Sequence, residues 1–203
     1  MPKLVPKAPK GSVNTRLSGC PGSLLISLLG KPRKTFSQEC QGVTNPSIQK
    51  LMVYGVNISP DPEQKFVVSG LKPVVYLLKC ALADLYEAKP ALFKRLGNVG
   101  MLCCRYIRGS SKSLSNHSWG TAIDFTIDGV VDPYGDNMMF PELLEVYAFL
   151  KKWGFYWGVS FKKEDAMHFE ASAETIRVLN RLSWHLDDTN IDKFFKELAK
   201  EAA

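Results

Sequence analysis

No stretch of the chain approaches the roughly 18 uninterrupted apolar residues that a membrane-spanning helix needs, so no transmembrane segment is expected. The N-terminus is basic (Lys3, Lys7, Lys10). The nearest apolar run, Leu24 to Leu29, is short and has no small-residue cleavage site after it, so no secretory signal peptide is expected. The five cysteines (Cys20, Cys40, Cys80, Cys103, Cys104) are odd in number and show no CxxC spacing, which excludes a zinc–cysteine cluster and a full disulfide framework. Free thiols are the default, with a Cys20–Cys40 bridge left open for an oxidising compartment. No internal repeat is present. No basic run interleaved with aromatics marks a nucleic-acid surface, so nucleic acid is not an expected partner. Histidine is scarce, with three in 203 residues.

What is present fits one domain of ordinary size. Apolar residues make up 45% and charged residues 23%, the balance of a globular protein with a hydrophobic core. Lys and Arg outnumber Asp and Glu by 26 to 20, and the net charge of +6 favours an anionic partner such as an envelope surface.

Residues 1–20, rich in Pro, Lys, Gly and Ser, are expected to form a flexible N-terminal arm, and 21–203 a single domain. Turn formers (Pro32, Asn45–Pro46, Pro60–Asp61–Pro62) break up 21–70, where irregular structure with one short helix is expected. Pro73 opens a helical pattern, with Val74, Val75, Leu77, Leu78, Ala81, Leu82 and Leu85 at helical spacing through Tyr86. Ala91–Leu96 is a second helix ended by Gly97, and Met101–Ile107 a strand. Thr121–Ile127 is a strand leading through the Asp128–Gly129 turn into Val130–Val131. Pro141–Trp153 is an amphipathic helix, Phe155–Trp157 and Ala166–Glu170 are short strands, and helices at Ala173–Leu182 and 191–202 close the chain. The apolar stripe of the last helix suits packing on the core. A membrane-surface helix is the alternative. Helices around a small antiparallel sheet make the fold class α+β.

Two of the three histidines have unusual neighbours. One lies in Ser115-Asn116-His117-Ser118-Trp119-Gly120-Thr121-Ala122-Ile123-Asp124, the other in Glu164-Asp165-Ala166-Met167-His168-Phe169-Glu170. Strand alternation puts Thr121, Ile123, Phe125 and Ile127 on one face and Asp124 on the other, beside the small Ala122. Gly120 lets the loop carrying His117 turn back toward the strand. Met167 and Phe169 likewise point one way, and His168 and Glu170 the other. Two imidazoles and one carboxylate are the ligand set of a catalytic zinc site with an open fourth position. Such an ion brings the pKa of a bound water toward neutrality. Asp165, three residues before His168, is placed to act as acid/base, and Glu170 to orient the imidazole. Arg105 and Arg108 are the candidates for stabilising an oxyanion or binding a substrate carboxylate.

On spacing alone, a loop histidine and a hydrogen-bonded strand histidine explain His117 and His168 as well as a metal does. Asp124 is harder to dismiss, because a carboxylate within an apolar strand needs a partner. Asp165 beside Glu164 can be surface charge, and Arg105 an ordinary ion-pair partner. Ser115 has no nucleophile elbow around it, so it is a turn or substrate-contact residue. His185 is assigned to structure.

The S-x-H-x-x-G-x-A-x-D segment followed by D-x-x-H-F-E resembles the D-alanyl-D-alanine carboxypeptidase superfamily of zinc peptidases. The group includes vancomycin-resistance carboxypeptidases and dipeptidases, and phage endolysins that cut L-alanyl-D-glutamate bonds. The resemblance covers about residues 65–182. It implies zinc on His117, Asp124 and His168, Asp165 as the catalytic acid/base, and Arg105 rather than Arg108 as the substrate-stabilising arginine. It also implies a hedgehog-like α+β fold with the zinc cleft on the sheet, and hydrolysis within the peptidoglycan stem peptide by a D,D-carboxypeptidase or lytic endopeptidase. With no leader expected, a protein made in the cytoplasm and released to the cell wall by lysis or a specialised secretion system fits best, as a phage lysin or antibacterial effector. Two other classes compete. A non-catalytic binding module of the same fold would close its zinc with a fourth protein ligand, and none is evident. A non-haem iron oxygenase usually has one residue between the first His and the acid, whereas six separate His117 from Asp124.

Overall fold

The computed structural model of the protein describes residues 2–9 and 11–203; Lys10 of the basic N-terminus lies outside the described residues. In chain order the elements are β1 (Val5–Pro6), α1 (Gly22–Leu29), α2 (Pro46–Gln49), β2 (Met52–Asn57), β3 (Val67–Leu71), α3 (Lys72–Ala88), α4 (Pro90–Arg95) and β4 (Leu96–Gly100). There follow β5 (Ala122–Ile127), β6 (Val130–Val131), β7 (Met138–Met139), α5 (Pro141–Lys152), β8 (Phe155–Trp157), β9 (His168–Ala171), α6 (Ala173–Arg181) and α7 (Ile191–Glu201). The fold is α+β, with helices around small antiparallel sheets.

The principal sheet runs β4-β5-β9-β8, with β6 paired to the end of β5. Its inner face carries Ile123, Phe125, Ile127, Phe155, Trp157 and Phe169, all fully buried. The Trp157 and Phe169 rings stack nearly parallel at 5.5 Å, and Phe169 meets Phe125 edge-on. Against this layer α5 sets Tyr147, and α3 packs on α5, with Val74, Leu77, Leu78, Ala81, Leu82 and Leu85 buried. Each such leucine removed from water contributes roughly 1.5–3 kcal/mol. Four helices begin with proline in the first turn (Pro46, Pro73, Pro90, Pro141), where the missing N–H has no intrahelical partner to lose. α7 lays Phe194 and Leu198 on the body next to α6, the core-packing role expected of its apolar stripe.

Four expectations from the sequence are corrected. The N-terminal arm is docked rather than free. β1 pairs with β7, and Asn14 donates to the Trp157 carbonyl while its side-chain oxygen accepts the Trp157 N–H. Segment 21–70 contains two helices and the β2–β3 hairpin instead of one short helix. The alternation of β2 is hidden because its register shifts between Val53 and Val56, around Gly55 at φ 59°. The strand expected at Met101–Ile107 lies earlier, at β4, and 101–107 makes only the isolated bridges Gln41–Cys104 and Tyr106–Leu114. Gly97 made β4 hard to see. It is a strand residue by necessity, because a Cβ there would stand 2.6 Å from the Thr126 hydroxyl on β5. Finally, Cys40 is joined to Cys103, not to Cys20, which is buried and free.

The 3₁₀ turn Asn116–Trp119 delivers the chain to β5. Trp119 is buried and its indole N–H donates to the Gly30 carbonyl at the end of α1. Gly120 then adopts a left-handed conformation (φ 61°, ψ 38°), and a Cβ on it would lie 2.5 Å from the Gly70 Cα. Gly120→Ala therefore combines a left-handed backbone penalty with a backbone clash. It is expected to lower unfolding free energy by about 2–5 kcal/mol. Urea denaturation is the check: the midpoint should fall at unchanged m, and a wild-type midpoint would contradict this account of the turn.

Candidate metal centre and cleft

Three elements bring the candidate ligands together. His117 comes from the 3₁₀ turn, Asp124 from the middle of β5 and His168 from the first residue of β9. The β5–β9 register sets Asp124 directly opposite His168. The His117 Nε2, His168 Nδ1 and Asp124 Oδ1 atoms form a near-equilateral triangle. The edges are 3.2 Å between the two nitrogens, 3.2 Å from His117 to Asp124 and 3.1 Å from His168 to Asp124.

The outer nitrogens decide the tautomers. His117 Nδ1 lies 3.1 Å from the Met101 carbonyl, which only accepts, so that nitrogen carries the proton. His168 Nε2 lies 3.0 Å from Glu170 Oε2, so it too is the protonated nitrogen. In the neutral form of each ring the inward nitrogen then presents a lone pair, toward its counterpart and toward a carboxylate oxygen. One cation at the centre satisfies all three. A tetrahedral zinc ion with ligand bonds of 2.0–2.1 Å places its ligand atoms about 3.3 Å apart, close to the observed edges. The residues present therefore fit such an ion. Electrostatics favours a cation as well. Burial opposes the charge on Asp124, but the two imidazoles hold its carboxyl well below the ordinary range. Burial likewise opposes charge on His168, and Asp124 and Glu170 outweigh it, raising its pKa.

Glu170 is the hub of the surrounding bonds. Its Oε1 accepts the Cys20 N–H at 2.7 Å, and its Oε2 accepts from the Asn116 amide at 2.7 Å as well as from His168. Asn116 also donates to the Cys20 carbonyl. Asn116, Cys20 and the Met101 carbonyl were not identified from the sequence. Asn116 stood beside His117 in the motif and was the one accessible signal. The other two act through backbone atoms, which leave no trace in side-chain identity.

The triangle opens into a cleft of about 1190 Å³. Asp165 lines it, half-buried, with Oδ1 lacking a hydrogen-bond partner. Burial, with Asp124 and Glu164 adding, raises its carboxyl to about 6 against the lowering effect of the two histidines. Arg105 and Arg108 both line the cleft. Arg105 is half-buried and its backbone is clamped, with its N–H donating to the Ser118 hydroxyl and its carbonyl accepting from Ser118 and the Ser115 N–H. Arg108 is exposed. Ser115 is buried at the cleft edge. His185 is far more exposed than the other two and pairs with Asp187. One wall comes from 19–26, including Cys20, Ser23 and Ile26 of the N-terminal segment.

Residues 108–171 match the family model described as D-alanyl-D-alanine carboxypeptidase, the resemblance carried by the two motifs. The match supports a peptidase of that type. It spans Ser115, His117, Asp124, Asp165, His168 and Glu170, and it begins at Arg108, leaving Arg105 outside. No curated protein and no solved structure matches the chain.

Loaded with zinc and dialysed, the protein is expected to retain about one ion per chain, the stoichiometry of a three-ligand site. Ala at His117, Asp124 or His168 should abolish retention. Glu170→Gln should keep the site but weaken it by roughly 10–100-fold, as loss of an orienting carboxylate does. Elemental analysis and competition with a chromogenic chelator read both effects. Unchanged affinity in Glu170→Gln would mean that the His168 tautomer is set by something else.

Proposed function

We propose that this protein is a zinc-dependent peptidase that hydrolyses peptide bonds in the stem peptide of bacterial peptidoglycan, acting at the cell wall. The observation that carries the reading is the triangle of two lone-pair nitrogens and one carboxylate oxygen, opening onto a cleft lined by an unpartnered acid. His117, Asp124 and His168 would hold the ion, which when bound supplies Lewis acidity toward water and the scissile carbonyl.

The chain's own groups divide the remaining work. Asp165 is the acid/base: its carboxylate, which lines the cleft, takes the proton from the attacking water and returns it to the leaving amine. Burial favours the protonated form of this acid, and the histidines favour the anion, which suits a group that must do both. Glu170 holds His168 in the tautomer that faces the centre. Arg105, with its backbone pinned beside the His117 turn, is the better-ordered donor for the developing oxyanion. Arg108, Lys112 and Lys163 also line the cleft and suit a substrate rich in carboxylates, as a stem peptide is.

Asp165→Asn keeps the shape and removes the proton acceptor. It is expected to fold, retain zinc and cleave purified peptidoglycan at least about 100-fold more slowly. Arg105→Ala should retain zinc and lose activity, whereas Arg108→Ala should act mainly on KM. Mass analysis of the digest identifies the bond: free D-alanine marks a carboxypeptidase, longer stem fragments an endopeptidase. A near wild-type rate in Asp165→Asn would move the acid/base role to another group, and loss of zinc from that variant would make Asp165 a ligand and favour a non-catalytic module.

A further inference from the structure

Asp132, Asp136 and Glu164 form a second cluster, away from the triangle, and each offers an oxygen within 4.8 Å of the others. Asp132 and Glu164 are each 1% exposed, and Asp136 is exposed. The fixed donors around them are backbone amides. Phe140 donates to Asp132 Oδ2, Met138 to Asp136 Oδ1, and Asn137 and Ala166 to the two oxygens of Glu164. Asp132 Oδ1 is buried and has no partner. Among the described residues, no Lys, Arg or His lies within ion-pair distance of any of the three. The adjacent Lys163 instead directs its ammonium over the Tyr134 ring at 4.1 Å.

Buried carboxylates without a counter-charge are costly. Three carboxylates that converge with no cation among the described residues at ion-pair distance leave the cluster short of positive charge. We propose that Asp132, Asp136 and Glu164 bind a hard divalent cation of the calcium class. An all-oxygen donor set excludes the softer metals that imidazole favours. Oxygens within 4.8 Å of one another can share a single calcium ion, because bonds of about 2.3–2.6 Å put opposite ligands roughly 5 Å apart. A buried oxygen already stripped of water, Asp132 Oδ1, is the first ligand.

The ion would join two segments that meet at the cleft. The loop 132–137 carries Tyr134, and the segment 161–165 carries Phe161, Lys163 and, next to Glu164, Asp165. Asn137 and β7 also receive β1, so the same point anchors the N-terminal segment. Calcium would therefore order the strand of chain that positions Asp165. That coupling rests on the acid/base role given to Asp165, whereas the binding itself does not.

The test uses protein stripped of calcium and reloaded with one equivalent of zinc. Equilibrium dialysis with radioactive calcium should find one ion per chain. Calcium at a hundredfold excess over Kd should raise Tm by roughly 5–10 °C. Asp136→Asn, at an exposed position, should fold, keep its zinc and lose calcium affinity at least tenfold, and Glu164→Gln should do the same. His117→Ala should still bind calcium, which separates this site from the zinc centre. Wild-type protein that binds no calcium at millimolar concentration overturns the proposal, as does equal binding by Asp136→Asn and Glu164→Gln. At calcium near the wild-type Kd, peptidoglycan hydrolysis by zinc-loaded wild type that is faster than without calcium, and little changed by calcium in Asp136→Asn, supports the coupling. The same calcium response in both rules it out.

Discussion

The antiparallel register of β5 on β9 places Asp124 opposite His168, and most of the structure can be understood as what holds that register. Because side chains alternate strictly along a strand, a slip of β9 by one residue would turn His168 into the core, away from Asp124, and bring Phe169 out. The aromatic layer of Phe125, Trp157 and Phe169 on the inner face makes such a slip expensive. The hydrophobic core therefore secures the geometry of the polar face without touching it.

The third member of the triangle is held by different means. His117 is not on a strand, so its position depends on the short 3₁₀ turn, the left-handed Gly120 and the anchoring of Trp119 to the end of α1. Each is a close backbone approach or a buried hydrogen bond with little tolerance. The N-terminal segment enters here too: Glu170 bonds His168, Asn116 and the Cys20 backbone at once. One carboxylate thus links the orientation of an imidazole, the turn carrying the other imidazole, and the segment forming a wall of the cleft.

The charges around the cleft are arranged by kind. Imidazoles and a carboxylate face each other across a gap suited to a borderline metal, while oxygen-only donors gather at Asp132, Asp136 and Glu164. The two groups are bridged by three residues of chain, Asp165, Ala166 and Met167, between Glu164 and His168. Neither cluster is explained by local secondary structure, since each draws residues from segments distant in sequence.

From the sequence by itself came the helical spacing of α3, the α+β class, the alternation that set Asp124 apart from Ile123 and Phe125, and the pairing of two histidine motifs. These are properties of a single segment, where a period of 2 or 3.6 states which face is buried. The β2–β3 hairpin, β4, the docking of residues 2–9 and 11–20, and the Cys40–Cys103 pair were decided by tertiary structure. A bulge at Gly55 and a glycine facing Thr126 erase the local pattern, and a cysteine's partner depends on which segments meet. The tautomer of His117 and the anchoring of Glu170, already expected from the sequence to orient His168, were likewise beyond the sequence. The first is set by a backbone carbonyl and the second by partners of Glu170 that lie 54 and 150 residues away, relations that only the folded chain creates.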